Sequence, residues 1–336
     1  MINRKGAILI TSLWILAILS ILAMGIGFRV SVEARLAKYN MDRMRALYLA
    51  KAGIVKSLYR LSKNPTAYDS IYECGTVFSP EEKSDSGKLN AVFNSALDGG
   101  SFSVAYKEEA AAYPGMSDEE RRININTAPQ NVLENLLMYV GEDPGIAASI
   151  VQWRSPGPGL DDGYYQALPA PYKCKHEKFS AIEELLLVKG VNQQVFARLK
   201  DYVTIFGDPA RFAININTAP KAVLGALIMA YAPADKIAAD FCADKIIDFR
   251  SGPDKQQGTK DDTPFNSANI NIEWISQGAL SATQAANLKN YLIIKSNYFH
   301  IESTGIMNSS KVGKKIVCVA AKDTAGNFKF LYYREY

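Results

Sequence analysis

GAILITSLWILAILSILAMGIGF occupies positions 6–28. From Ala7 to Phe28 it holds no charged residue, and Arg4 and Lys5 stand directly before it. About 20 apolar residues in helical form cross a bilayer core, so the stretch is long enough to span one. A cleavable secretory signal has an apolar core of roughly 7–15 residues; this one is longer, and the helical pattern does not stop with it. Arg29–Lys63 has no proline and sets Met44, Leu47, Ile54, Leu58 and Leu61 at three-, four- and seven-residue steps, an apolar stripe along a charged helix. As one rod, Ala7–Lys63 would measure about 85 Å at 1.5 Å per residue. The rest of the chain has to be arranged around a helix with one half in lipid and the other outside it.

Working outward, Arg4 and Lys5 lie on the short side of the span, and the positive-inside rule keeps that side cytoplasmic. Arg29 and Arg35 oppose this, but a large translocated domain is governed less by charge. In a bacterium the expected outcome is a single-pass inner-membrane protein with everything after Phe28 in the periplasm. The 336 residues, 48% hydrophobic, suffice for two domains beyond the anchor. With 38 basic against 34 acidic residues and no run of five like charges, neither a nucleic-acid tail nor a polybasic membrane patch is advertised. Cys74, Cys174, Cys242 and Cys318 form no CxxC pair; an oxidising compartment would permit two disulfides, and the pairing stays open.

Asn64-Pro65 ends the helix, since proline cannot continue the ladder. Glu81–Gly87 reads as a surface loop, Ser101–Glu108 as a strand with Phe102, Val104 and Tyr106 on one face, and Ala110–Glu120 as a small, polar, acidic linker. An internal repeat follows. Ile123-Asn-Ile-Asn-Thr-Ala-Pro129 recurs letter for letter as Ile214-Asn-Ile-Asn-Thr-Ala-Pro220. Val132-Leu133 matches Val223-Leu224, Trp153-Arg154 matches Phe249-Arg250, Ile182-Glu183 matches Ile272-Glu273, and Leu199–Tyr202 matches Leu288–Tyr291. One helical module is therefore duplicated, over about 122–206 and 212–297. In the heptapeptide, Thr127 is placed to cap a helix with Pro129 in its first turn and Gln130 completing a capping box. Asn124 and Asn126 are placed to tie the preceding segment to the turn. After the repeats, Tyr298–Ser303, Lys314–Lys322 and Phe328–Tyr333 switch to strand patterning, with turn glycines between them. These pieces assemble economically as one antiparallel sheet packed on the N-terminal helix, the helical block inserted between its strands.

Catalytic chemistry finds little support. His176 and His300 lie in different regions, and no GxSxG, HExxH or P-loop pattern occurs. Cys174-Lys-His176 supplies two metal ligands, too few for a zinc site. Asp161-Asp162 after the first helix ending in arginine, and Asp254 with Asp261-Asp262 after the second, are carboxylates in glycine-containing loops. Such loops suit calcium, with solvated loop acids as the plainer reading.

Met1-Ile-Asn-Arg-Lys-Gly6 followed at once by the apolar helix resembles the leader of type IV pilin-like precursors. That resemblance implies cutting by a prepilin peptidase between Gly6 and Ala7, methylation of Ala7, and retention of the helix. Most members have glutamate at the fifth mature position; here it is Thr11. With the two INTAP repeats, the IEELLLVKGV stretch and the strand-rich C-terminus, nearly the whole chain resembles the type II secretion system minor pseudopilin K family (general secretion pathway protein K). The implied fold is α+β: a type IV pilin-like core, its long N-terminal helix packed on an antiparallel sheet, with a large inserted all-α domain of two helix-hairpin-helix-like repeats. The implied divisions are a leader (1–6), a transmembrane helix (7–28), a periplasmic amphipathic helix (29–63), core (64–121), inserted α-domain (122–297) and C-terminal strands (298–336). The implied role is non-enzymatic: starting and capping the pseudopilus with I-type and J-type minor pseudopilins. Thr11, Met44, Leu47, Ile54 and Leu58 are then the candidate assembly residues. No cofactor is required; the family also implies calcium, with Asp161, Asp162, Asp254, Asp261 and Asp262 as candidate ligands. A second resemblance, to helix-hairpin-helix modules of DNA-uptake proteins, is weakened by Val188-Lys-Gly190-Val, which has one glycine where two are wanted. It is weakened further by Gly141-Glu-Asp-Pro-Gly145, which puts carboxylates where phosphates would sit. A membrane-anchored DNA binder and a type IV pilus tip subunit remain the alternatives; no nucleic acid is expected.

Overall fold

The computed structural model describes residues 4–64, 66–74, 93–97, 99–108, 111–232, 235–259, 261–267 and 280–336. The expectations for Met1–Asn3, Glu81–Gly87 and Ile272-Glu273 fall outside them. One helix, α1 (Arg4–Lys63), runs unbroken from the leader to the Asn64-Pro65 stop. Among the described residues it alone is long and apolar enough to cross a membrane, and Ile8–Phe28 is exposed throughout. Arg60 and Lys63 in its last turn complement the negative end of the helix dipole.

After α2 (Ile71–Cys74) come β1 (Asn94–Leu97), β2 (Gly100–Glu108), β3 (Ala111–Pro114) and β4 (Ser117–Asp118). An insert then holds β5 (Ile123–Asn124), α3 (Gln130–Tyr139), α4 (Ile146–Arg154), α5 (Asp162–Gln166), α6 (Gln193–Leu199) and β6 (Val203–Thr204). Its second half holds β7 (Ile214–Asn215), α7 (Lys221–Tyr231), α8 (Lys236–Arg250), α9 (Ala282–Lys289) and β8 (Leu292–Ile293). The chain closes with β9 (Tyr298–Met307), β10 (Gly313–Lys322) and β11 (Phe328–Glu335). The main sheet is antiparallel in the order β1-β2-β9-β10-β11, with β3 beside β2 and β4 beside β9. Asp118 pairs with Phe299, so the insert leaves and rejoins the sheet between neighbouring strands.

Residues of α1 and the sheet's near face make one core. Phe299, Ile301 and Met307 of β9, with Phe102, Val104, Ile316 and Cys318, close over Ala46, Leu49, Ala50, Ile54 and Leu61. The approach is tightest at Gly305. A Cβ there would fall well inside contact with the Ala46 carbonyl and 2.6 Å from the Ala50 nitrogen, so only glycine lets the helix backbone reach the strand. On the far face, Val317, Val319 and Tyr332 share a crevice of about 240 Å³ with Ser180–Glu183, Lys200 and Val203–Phe206 of the insert. The order is therefore helix, sheet, insert.

Two sequence expectations are corrected here. Ala110–Glu120 is not a linker, because β3, β4 and a 3-10 turn at Glu119–Arg121 occupy it, and Met116–Glu120 is buried. Pairing of β4 with β9 draws these polar residues inside. Thr127 does not cap α3 either. The helix starts at Gln130 with Pro129 in the cap position and no side-chain cap bond, and α7 starts the same way after Pro220. The Asn124 carbonyl accepts from the amides of both Thr127 and Ala128, so the chain is still turning where Thr127 sits.

The two copies share other devices. Asn124 accepts from the Asn126 amide at 2.9 Å and Asn215 from the Asn217 amide at 3.0 Å. Asn126 exchanges two bonds with the Phe179 backbone, and Asn217 does the same with Phe265. Arg154 donates to the carbonyls of Ile125 and Ala128; Arg250 donates to those of Ile216 and Ala219 at 2.7 and 2.8 Å. Each heptapeptide opens on a short parallel bridge, β5 with β6 and β7 with β8. The repeat is an asparagine-and-arginine lock on one turn, not a helix cap.

Candidate functional site

The insert is fastened to the sheet by charged residues that sequence reading took as solvated. Asp118 is 2% exposed. Its Oδ2 accepts from Asn215 Nδ2 at 2.9 Å, Thr218 Oγ1 at 2.6 Å and Ser296 Oγ at 2.7 Å, while Oδ1 takes the Glu120 amide at 2.8 Å. One strand residue thus holds the second INTAP turn and the insert's last segment together. Asp69 completes the clasp by accepting from the Ser296 amide at 3.0 Å. Glu119 reaches the first copy, accepting from Thr204 Oγ1 at 2.5 Å and meeting Arg122 at 3.4 Å. His300 lies 3.1 Å from Glu119 and 3.2 Å from Glu302. Burial pushes the Asp118 carboxyl up to about 6. Burial, followed by the charge of Asp118, pushes Glu120 up to about 8. Burial also disfavours charge on Glu119, but Arg122 and His300 outweigh it and hold the carboxyl near about 2. His300 in turn is raised to about 9, the bonds to Glu119 and Glu302 overcoming its burial. These groups are spent on one another, and the arrangement fixes one domain to another. The missed signal was Asp118-Glu-Glu-Arg-Arg122, a run of both signs directly before the first repeat, which a solvated linker has no need to carry.

On α1, Ile54 is buried against the sheet and cannot face a partner; Leu47 and Leu58 are half-buried beside that core. Met44 is exposed. It belongs to a different stripe, with Met41, Tyr48, Val55 and Tyr59, all exposed and on the opposite side of the helix at 100° per residue. The outer half of α1 is therefore apolar on two faces, and the described residues cover only one. Thr11 turns its hydroxyl back to the Ile8 carbonyl at 2.9 Å, which satisfies it within its own helix.

The five loop aspartates divide. Asp161 is bonded to Lys189 at 2.6 Å and Ser149 at 2.8 Å, and these partners hold its carboxyl below the usual range although burial works the other way. Asp162 faces His176 at 2.9 Å and accepts from the Gly159 amide at 3.1 Å. The two side chains point to different partners and do not form one oxygen cage. In the second copy, Asp261, Asp262 and Asp254 approach the Thr259 hydroxyl at 2.9, 3.2 and 3.4 Å. One hydroxyl proton cannot serve three carboxylates. Burial, then the charge of Asp254, raises the Asp262 carboxyl. In the Gly141–Gly145 turn, Glu142 pairs with Arg198 at 2.9 Å and Asp143 accepts from the Gly145 amide at 2.8 Å, so acids occupy the place a phosphate would need. The four cysteines are buried and free of disulfides.

A membrane-length helix whose outer half lies on an antiparallel sheet, with a duplicated helical block between the strands, makes a pilin-like α+β fold with an inserted helical block. The family profile for type II secretion system protein K matches residues 106–208. The type II secretion system protein K of Pectobacterium carotovorum subsp. carotovorum is 25% identical over 230 residues, 64% of this chain and 67% of that protein. The protein K of Aeromonas hydrophila is 26% identical over 165 residues, 49% of this chain and 45% of that one. A solved structure of the GspK-GspI-GspJ complex from enterotoxigenic Escherichia coli shares the fold with a TM-score of 0.61 at 18% identity, covering 89% of this chain and 99% of that one. Over these stretches the chain is similar to protein K of type II secretion systems.

Proposed function

We propose that the chain is the minor pseudopilin at the tip of a type II secretion pseudopilus. A prepilin peptidase cuts after Gly6, Ala7 becomes the methylated amino terminus, residues 7–28 span the inner membrane, and the remainder stands in the periplasm. I-type and J-type minor pseudopilins assemble with it to start the filament, and the inserted domain caps it; no catalysis is involved. The observation that carries the reading is the exposed second stripe on α1 beside a sheet whose far face is already taken by the insert. A subunit so built offers a helix flank to neighbours and a bulky block where another subunit would stack. Thr11 agrees with this, since a buried carboxylate is costly without a partner and a hydroxyl bonded to its own helix needs none. Tyr48→Asp with Val55→Asp is expected to abolish co-purification with the I-type partner while leaving the chain folded, because both side chains are exposed. An intact complex would sink the assembly surface. Ile54→Asp is uninformative, as it breaks the chain's own core.

We also propose that calcium, where bound, is held by the second acidic loop through Asp254, Asp261 and Asp262, whose convergence fits a hard cation taking roughly six to eight oxygens. Calorimetric titration of calcium into the detergent-solubilised chain is expected to give heat that Asp261→Asn/Asp262→Asn removes and Asp161→Asn keeps. Equal heats in all three chains would rule the loop out.

A further inference from the structure

The first copy's loop holds a different donor set at the corresponding place. A carboxylate oxygen of Asp162, the Cys174 sulfur and a ring nitrogen of His176 lie within 4.8 Å of one another, the one such group of three among the described residues. Sequence spacing gave only the Cys-x-His pair; the fold brings the carboxylate from α5. The partners around the group arrange it further. His176 Nδ1 faces the Ser155 carbonyl at 3.2 Å, and Nε2 faces Asp162 Oδ1 at 2.9 Å. Both ring nitrogens thus meet acceptors, and a neutral imidazole has one N–H. If Nδ1 donates to Ser155, the Nε2 lone pair confronts a carboxylate oxygen, and a proton or a cation must lie between them. The other Asp162 oxygen is already held by the Gly159 amide, which aims Oδ1 inward. Burial, and then the charge of Asp162, raise the Cys174 thiol, so a cation that ligates it must displace its proton.

We propose that Asp162, Cys174 and His176 bind one zinc-class divalent cation. Zinc takes thiolate, imidazole and carboxylate together at about 2.0–2.3 Å, which spaces tetrahedral ligand atoms roughly 3.3–3.7 Å apart. The observed group, within 4.8 Å, reaches that spacing by side-chain adjustment on the order of an ångström. The Nδ1–Ser155 bond is the outer-sphere contact that fixes a ligating histidine's tautomer. Three protein ligands leave the fourth position to water. Sulfur and nitrogen donors select against calcium, so the two copies of the repeat would hold cations of different class. Bound metal ties the end of α4, through Ser155, to the Cys174–His176 segment.

The test uses the full chain in detergent, stripped with chelator and titrated with zinc or cobalt(II). It does not depend on the secretion reading. The parent is expected to retain one equivalent of zinc through gel filtration in millimolar calcium. It is also expected to give a thiolate-to-cobalt charge-transfer band, and to melt higher with zinc than without. Cys174→Ser should lose the band, and His176→Asn should lose the retained zinc. Asparagine tolerates the left-handed backbone at position 176 (φ 53°), so that variant keeps the loop's shape. Cobalt bound without a thiolate band, or zinc retained equally by both variants, overturns the assignment.

Discussion

Gly305→Ala, the addition of one methyl group, is expected to cost more than about 3 kcal/mol and to detach α1 from the sheet. The new Cβ would strike the backbone of Ala46 and Ala50, and backbone on a straight helix cannot yield locally as a side-chain tip can. Relief requires the helix to lift, which opens the layer of Leu49, Ile54, Phe102 and Ile301 that depends on its closeness. The control is Gly313→Ala in β10, where the nearest atom to a new Cβ is 3.6 Å away and the cost should stay within about 0.5 kcal/mol. Urea unfolding of the detergent-solubilised chain, followed by circular dichroism, separates the two. Matching midpoints for Gly305→Ala and the parent would show that the helix does not rest on β9 as described.

The second large effect is expected at Arg250. The residue is 4% exposed, and its guanidinium spans the carbonyls of Ile216 and Ala219 and the Gln257 side chain. Arg250→Leu strands those carbonyls in the insert's core, and at about 1–3 kcal/mol for each buried group left unsatisfied the loss approaches 4 kcal/mol. Arg250→Lys should recover only part of this, since an ammonium does not match the planar fork that reaches both carbonyls. Arg154→Leu in the first copy should cost less, because that arginine is partly exposed and water can replace it. Limited proteolysis with mass mapping would register the difference: accelerated cleavage within 212–297 for Arg250→Leu, and little change for Arg154→Leu. Equal protection in both variants would contradict the lock.

These expectations show which parts of the structure could be read from the chain. The duplicated insert was visible because its turn is built from side chains acting locally, Asn on backbone a few residues away, and such chemistry constrains letters directly. The C-terminal strands were visible by alternation, as in β9, where every second residue faces α1. Arg154 and Arg250 were noticed as matching letters, but their targets lie about 30 residues upstream, and nothing in local spacing gives that distance. Asp118 and Glu119 were misread for a related reason: charge usually marks solvent, and here the partners come from Thr204, Thr218 and Ser296. Ile54 was assigned to a partner because periodicity identifies an apolar stripe without saying what covers it. The sheet covers that one, and the stripe through Tyr48 and Val55 escaped notice because it is interleaved with charges.

The pairing of Asp118 with Phe299 has a mechanical consequence. Force applied along α1 passes into β9 and its neighbours through the contact at Gly305, and the insert is not in that path. Its chain departs and returns at adjacent strands, so it is mounted in parallel with the load-bearing layer rather than in series with it. Tension on the helix can rise without stretching the block, and the block can change its length without altering the stiffness of the helix and sheet.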